Sequence, residues 1–520
     1  MNKWLLLLPL CVLVSFWLGR ASSTSKRKQH DQFWASIACV GVPHSGPLPW
    51  FRAIVKSFVC LKENAAEGYQ KHCKERGLAF GLPIVGAGAI VTLAPSQLHV
   101  LDRSEGELLA SSSQLEVIQP RWMIGDGDEM FRKTIMYDVV RRFLRNVGPL
   151  TADLHDEMDA AFCEYWGTES VGWKTVNAWD FCGRIIERMA GRVCFGLPLC
   201  RHEKLREQSR LYSRTMYAGA DVINSLPAWL KPVLGPIVGF ASKRYEASCH
   251  EILRPLVESR LQSFTSGKED ALPNDALQCI IEECARSGDD NELTVTNITK
   301  RLLVMKVMLT FGAAYTFASC ILDLYSSNSK EDFVAGLREE CDCIEREFDG
   351  LSDKAATDRL YRVDSAVRES LRLSPPHIIS LPRDVAPGRT LNIGGGVQIP
   401  EGVRLAVPSY DILTDANFHE KPLVFDAFRF SRRLEGLDDP NAQASEHEPA
   451  SSVTNTVPVF GYGRHGCPAR WYVTQMMKQA LAYVVQRYDV DNVRGNLEKK
   501  VLLNAVLPRE TTYMSIRRRL

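Results

Sequence analysis

The stretch "FGYGRHGCPAR", residues 460–470, sets one thiol, Cys467, after Gly461, Gly463 and Gly466 and just ahead of a helical run. Pro468 followed by "ARWYVTQMMKQALAYVVQRY" reads as a helix with proline at its first position. Cys467 is therefore expected at a helix N-terminus, where backbone N–H groups and the positive end of the dipole favour a thiolate. Three chemistries suit such a thiolate. A nucleophile needs a histidine base and an oxyanion device; His465 is close, but nothing resembling the second stands beside it. A redox thiol needs a resolving partner, and no Cys-x-x-Cys occurs here. A lone thiolate suits the axial position of a haem iron, where the macrocycle supplies the other four donors.

Several elements must position such a thiolate. Val473, Met476, Met477, Ala480, Leu481, Val484, Val485 and Tyr488 follow helical spacing, so the helix after Cys467 buries one face. "VMLTFGAAYTFASCIL", residues 307–322, is uncharged but short for a membrane span and bracketed by Lys306 and Asp323, which points to a buried helix. Its middle carries Gly312, Ala313 and Ala314. Glycine inside a helix costs ~1 kcal/mol against alanine, and room for a planar ring and dioxygen would justify that cost. Thr316, four residues after Gly312, shares its face and could donate a hydrogen bond there. Glu369 and Arg372 in "ESLR" share one face of a helix that Pro375 and Pro376 stop.

Phe460, Gly463, His465, Cys467 and Ala469 resemble the haem-binding signature of the cytochrome P-450 family, Phe-x-x-Gly-x-Arg/His-x-Cys-x-Gly/Ala. Three more motifs follow the family's order: Glu369 and Arg372 resemble its Glu-x-x-Arg helix, Arg429 in "FDAFRF" the arginine that completes that triad, and "FGAAYT", residues 311–316, its oxygen-binding centre. The similarity runs from about residue 60 to about residue 515 and is strongest to fungal members of secondary metabolism. It implies a mainly α fold with small β-sheets (α+β), heme b with Cys467 as axial iron ligand, and a structural ion network of Glu369, Arg372 and Arg429. Gly312, Ala313 and Thr316 are then the oxygen-side residues.

The chain departs from the family pattern in places. His465 stands where arginine is most common and Ala469 where glycine is usual. Tyr315 replaces the acid that often precedes the threonine, which puts the usual proton relay in doubt. The Trp-x-x-x-Arg propionate motif is missing from "YDVVRRFLRN"; Arg141 is a weak substitute and Arg383 in "SLPRDV" a better one.

The resemblance implies a monooxygenase that inserts one atom of dioxygen into an apolar, terpenoid-type secondary metabolite, with electrons from NADPH through a flavoprotein reductase. Arg464, Arg470 and Lys478 offer that partner a basic face, and Ile378, Ile379, Leu381 and Leu507 line the substrate pocket. Two other readings stay open: a haem-thiolate isomerase or dehydratase that needs no external electrons, and a non-enzymatic haem sensor.

The whole chain sets the remaining bounds. With 520 residues, 45 % of them apolar, it can bury a large core, and a net charge of +1 with no basic block argues against nucleic-acid binding. Trp4 to Leu18 form an apolar run followed by Arg20, Lys26, Arg27 and Lys28. This predicts an N-terminal anchor over 1–20 in the endoplasmic reticulum membrane that leaves the rest in the cytosol; the other reading of the run is a cleaved secretory peptide ending near "GRASS". Fifteen cysteines without framework spacing fit reduced thiols in that compartment. Residues 21–60 read as a polar, proline-broken connector, 61–520 as the catalytic domain, and 435–456 as a surface loop.

Overall fold

The computed structural model describes residues 24–519 except 44, 126, 132, 169–171, 268–272, 274, 436–442 and 444. The expected anchor, 1–20, lies outside the described residues. Helix dominates, and its axis is the 31-residue helix Val295–Tyr325. Thr294 caps it by accepting a hydrogen bond from the Asn297 N–H at 3.3 Å. The helix packs against Ala178–Phe195, Lys231–Thr265, Tyr361–Leu373 and Arg470–Arg487.

Its charged residues are neutralised where they are buried. Arg301 donates to Glu292 at 2.7 Å and to the Met130 carbonyl at 3.1 Å. Lys306 donates to Glu187 at 2.8 Å and to Ser209 at 2.9 Å. Asp323 accepts from Ser374 at 2.7 Å and from Arg509 at 3.0 Å. Of the described helices this alone is long and apolar enough to cross a membrane, yet 83 % of its most apolar window is buried in protein. It is a core helix, as its length and charged flanks predict.

The strands form a small platform beside the helices. Phe80–Ile84, Gly88–Thr92, Arg404–Val407, Ser380–Val385 and Leu108–Leu109 pair in that order. The first two are an antiparallel hairpin with Phe80 opposite Thr92; its turn needs Gly86 and Gly88 at φ 86° and 79°. Gly88–Thr92 and Arg404–Val407 run parallel. A second sheet, Lys174–Asn177, Tyr513–Arg518 and Tyr488–Arg494, ties the C-terminus to the helices. Tyr488, expected on the helix after Cys467, instead opens a strand, because that helix ends at Arg487.

Two segments differ from their sequence reading. Residues 21–60 are helical over Thr24–Ser36, and the helix Pro49–Gly68 begins among them. Phe33, Ile37 and Val40 join Leu61 and Ala65 in the core under the five-stranded sheet, so this stretch is part of the globule. In the segment 435–456 the Ala450 N–H donates to Asp364 at 2.7 Å and Arg368 pairs with Glu448 at 3.0 Å, so its last part is held in the core.

Candidate functional site

The cysteine loop is shaped by backbone that only glycine adopts cheaply. Gly461 has φ 102° and Gly463 φ 55°. A Cβ on Gly463 would lie 2.2 Å from Oδ1 of Asp102, whose carboxylate accepts the Arg464 N–H at 2.7 Å. The turn closes with the Cys467 N–H donating to the Phe460 carbonyl at 2.6 Å. The Cys467 carbonyl accepts from Nη1 of Arg470 at 2.9 Å.

The helix begins at Arg470, not at Pro468, so Cys467 stands before its cap rather than in its first turn. Burial pushes the Cys467 thiol above its ordinary value, opposed by the N–H groups of Ala469 and Arg470 and by the Arg470 guanidinium. A bound cation at Cys467 would offset that desolvation and stabilise the thiolate.

Below the loop lies a buried ion network. Arg372 grips Glu369 in a two-bond fork, Nε to Oε2 and Nη2 to Oε1, both 2.8 Å, with both side chains fully buried. Arg429 Nε donates to the same carboxylate at 3.0 Å, and the Asp426 N–H adds a bond at 3.2 Å. The outer nitrogens of the arginines hold the carbonyls of Leu413, Pro422, Glu420 and Val424. His419, which the sequence reading missed, lies beside the charges of Arg372 and Arg429. Its Nε2 lies 3.3 Å from the Thr456 carbonyl, four residues before Phe460, and burial beside the Arg372 charge lowers its pKa to about 4. A lone histidine in "NFHEK" carries no motif that could have found it.

The central helix has an open patch at its middle. Met308 is 38 % exposed within a mostly buried helix, and a Cβ at Gly312 would meet nothing within 4 Å. Met308, Phe311 and Gly312 share that face, with Thr316 at its edge. Ala313 is buried. Thr316 Oγ1 donates to the Gly312 carbonyl at 3.0 Å. Phe311 is stacked by Tyr217 at 4.3 Å and 25°, with the Trp179 edge 6.3 Å away. Tyr315 instead joins the core under the sheet, where burial raises its phenol well above the ordinary value beside Arg509, Asp323 and Ser319.

The fit to a haem can be tested on unsatisfied polar atoms. Arg383 is fully buried, yet Nε and Nη2 have no partner and only Nη1 donates, to its neighbour's carbonyl at 2.8 Å. Burial pulls its pKa down to about 10. His465 Nε2 is also unpaired, and burial and the Arg383 charge lower its pKa. A buried guanidinium with free N–H vectors is costly unless an anion answers it. Arg383 and His465 would suit the carboxylates of a porphyrin, and Cys467 would suit its iron. The residues present fit the group.

The structure separates some residues that the sequence grouped. Arg141 is exposed and does not join Arg383. Lys478, expected on a basic surface, is buried 3.7 Å from Asp364 and is no docking residue, because its helix turns that face into the core. Ile378, Ile379 and Leu381 are buried in the core under the sheet with Tyr315, and Leu507 is 36 % exposed. Asn504 clamps Ile379 on both sides, accepting its N–H at 2.8 Å and donating to its carbonyl at 2.7 Å.

Comparison with known proteins agrees with this geometry. The family described as Cytochrome P-450 matches residues 139–516. The chain is 32 % identical to cytochrome P-450 monooxygenase gloP of Glarea lozoyensis, over 94 % of this chain and 92 % of that one. It is 32 % identical to cytochrome P-450 monooxygenase htyF of Aspergillus rugulosus, over 92 % and 71 %. With cytochrome P-450 monooxygenase okaG of Penicillium ochrochloron it shares 29 % over 90 % and 91 %.

Proposed function

This chain belongs to the cytochrome P-450 family, and from that premise we propose that it is a membrane-anchored haem-thiolate monooxygenase hydroxylating an apolar, terpenoid-type secondary metabolite. One observation carries the site assignment: a single loop-held Cys467 beside a buried guanidinium, Arg383, with two unanswered nitrogens. When bound, the haem supplies the activation of dioxygen. Cys467 holds its iron, Arg383 and His465 hold its propionates, and Phe460 and Gly463 fix the loop. Glu369, Arg372 and Arg429 anchor the segment below. Gly312 and Ala313 keep the oxygen side clear, and Thr316 holds a proton or an ordered water at Oγ1. Met308 and Phe311 favour an apolar substrate body, with Ile378, Ile379, Leu381 and Leu507 proposed around its far end.

Electrons come from NADPH through a flavoprotein reductase docking on the cysteine-loop side. Arg464 is 59 % exposed there, and Arg470 and Arg145 lie over the Trp471 ring at 3.6 and 5.4 Å. Anchoring in the endoplasmic reticulum membrane rests on the apolar run from Trp4 to Leu18. The exposed Val233, Ile237 and Phe240 on one helix face add to it. The relatives are named monooxygenases, which favours this reading over rearrangement or sensing. The test is product formation by protein co-expressed with a reductase: turnover that requires both NADPH and reductase supports it, and turnover without either would establish the electron-independent chemistry.

A further inference from the structure

We infer that Arg470 is a positioning residue that raises the reduction potential of the haem iron, its guanidinium being held against the cysteine loop as the cation that answers the Cys467 thiolate. This deepens the proposed reading and rests on Cys467 as the iron's ligand.

Arg470 stands where its charge is disfavoured. It opens the helix Arg470–Arg487, whose first turn carries no acidic residue. A helix dipole favours anions at that end and repels cations, so an arginine there is destabilising unless something else engages it. The partner lies in the loop: Nη1 donates to the Cys467 carbonyl at 2.9 Å. The same nitrogen lies 3.4 Å from where a Cβ of Gly466 would be, so the glycine beside the cysteine leaves it room. The guanidinium also lies over the Trp471 ring, 3.6 Å from its centroid. Hydrogen bond and ring together fix a side chain that has many rotamers when free.

The charges around it give this placement a consequence. Facing the guanidinium are the Cys467 sulfur, the Arg145 guanidinium and the Tyr137 phenol, and among the described residues no carboxylate pairs with it. Arg145, 5.4 Å from the same ring, repels it. Arg470 is in turn the one charged side chain that acts on the Cys467 sulfur. Reduction adds an electron to the iron and its thiolate. A fixed cation beside the sulfur stabilises the more negative state and draws density away from the ligand, so the potential rises. A neutral donor at position 470 could still hold the Cys467 carbonyl but would leave the iron harder to reduce.

The test compares haem-loaded wild type, Arg470→Gln and Arg470→Lys by spectroelectrochemical titration, with the C–O stretch of the reduced carbon monoxide adduct as a second reading. Arg470→Gln keeps an N–H donor and loses the charge. Its reduced-to-oxidised ratio at a given potential should fall about tenfold, a drop of about 59 mV for one electron, and its C–O stretch should move to lower frequency. Arg470→Lys keeps the charge and should keep most of the wild-type potential. An unchanged or higher potential in Arg470→Gln overturns the inference, as does an equal fall in Arg470→Lys. An Arg470→Gln protein that no longer takes up haem overturns it too, because the residue would then serve the fold and not the potential. Failure of the haem-thiolate reading is separate: the wild type itself would lack the thiolate-type carbon monoxide band, whatever the potentials.

Discussion

Replacing Glu369 by glutamine keeps the shape of the side chain and removes its charge, so it isolates what the carboxylate contributes. An exposed Glu-x-x-Arg pair at i, i+3 stabilises a helix by about 0.2–0.5 kcal/mol. The geometry here is different: both side chains are fully buried, and the carboxylate accepts from Arg372 at two atoms, from Arg429 and from the Asp426 N–H. Removing one partner of a buried charge pair costs about 3–5 kcal/mol, because the arginines are left desolvated without a counter-charge. Against a total stability of about 5–15 kcal/mol, that loss is severe. It falls beside His419, whose Nε2 meets the Thr456 carbonyl. The expected result is a matching fall in unfolding free energy by urea titration and purification with well under one haem per chain. A double variant, Glu369→Gln with Arg372→Gln, should cost less than the sum of the single losses, since it no longer strands the Arg372 charge. A Glu369→Gln protein within 1 kcal/mol of wild type and fully haem-loaded would refute the reasoning.

Three other outcomes follow from the same geometry. Arg383→Gln should leave the haem-free protein as stable as wild type or slightly more so, because it removes a buried charge with two unanswered nitrogens, while haem loss to a competing acceptor speeds up about tenfold or more; unchanged haem release would contradict the propionate role. Thr316→Ala should keep haem and substrate binding but divert NADPH electrons to hydrogen peroxide, and Tyr315→Phe should do far less, since that phenol points into the core under the sheet; product formed per NADPH consumed, with peroxide measured in parallel, distinguishes them. Deleting residues 1–28 should release most of the protein from membranes with the haem spectrum intact, and any residual binding should vanish when Val233, Ile237 and Phe240 are made polar; full retention after both changes would place the membrane contact elsewhere.

The site's local parts were legible in the sequence because each is encoded by adjacent residues: glycines at positive φ around Cys467, a fork at Glu369 and Arg372, and small residues on one face of an apolar helix. Arg383 was singled out because the usual motif is missing elsewhere in the sequence, and its Nε and Nη2 are buried without a partner. What sequence did not show depends on long-range packing. His419 and Asp102 have no local pattern, and their partners lie 37 and 362 residues away. Lys478 looked like a surface charge because helical spacing alone cannot say which neighbours cover a face, and Asp364 from another helix claims it. The segment 21–60 looked like a linker because prolines and glycines break it at "GVPHSGPLPW"; its apolar residues Phe33, Ile37 and Val40 become core only when the sheet brings Phe80 and Leu82 beside them.

The central claim is that Cys467 is the iron ligand, and the most direct measurement is the difference spectrum of the reduced protein with carbon monoxide, wild type against Cys467→Ala. The wild type should show the band at the thiolate-specific position, and Cys467→Ala should lose it entirely, with the other thirteen cysteines among the described residues unable to restore it. A thiolate-type band that persists in Cys467→Ala would contradict the account.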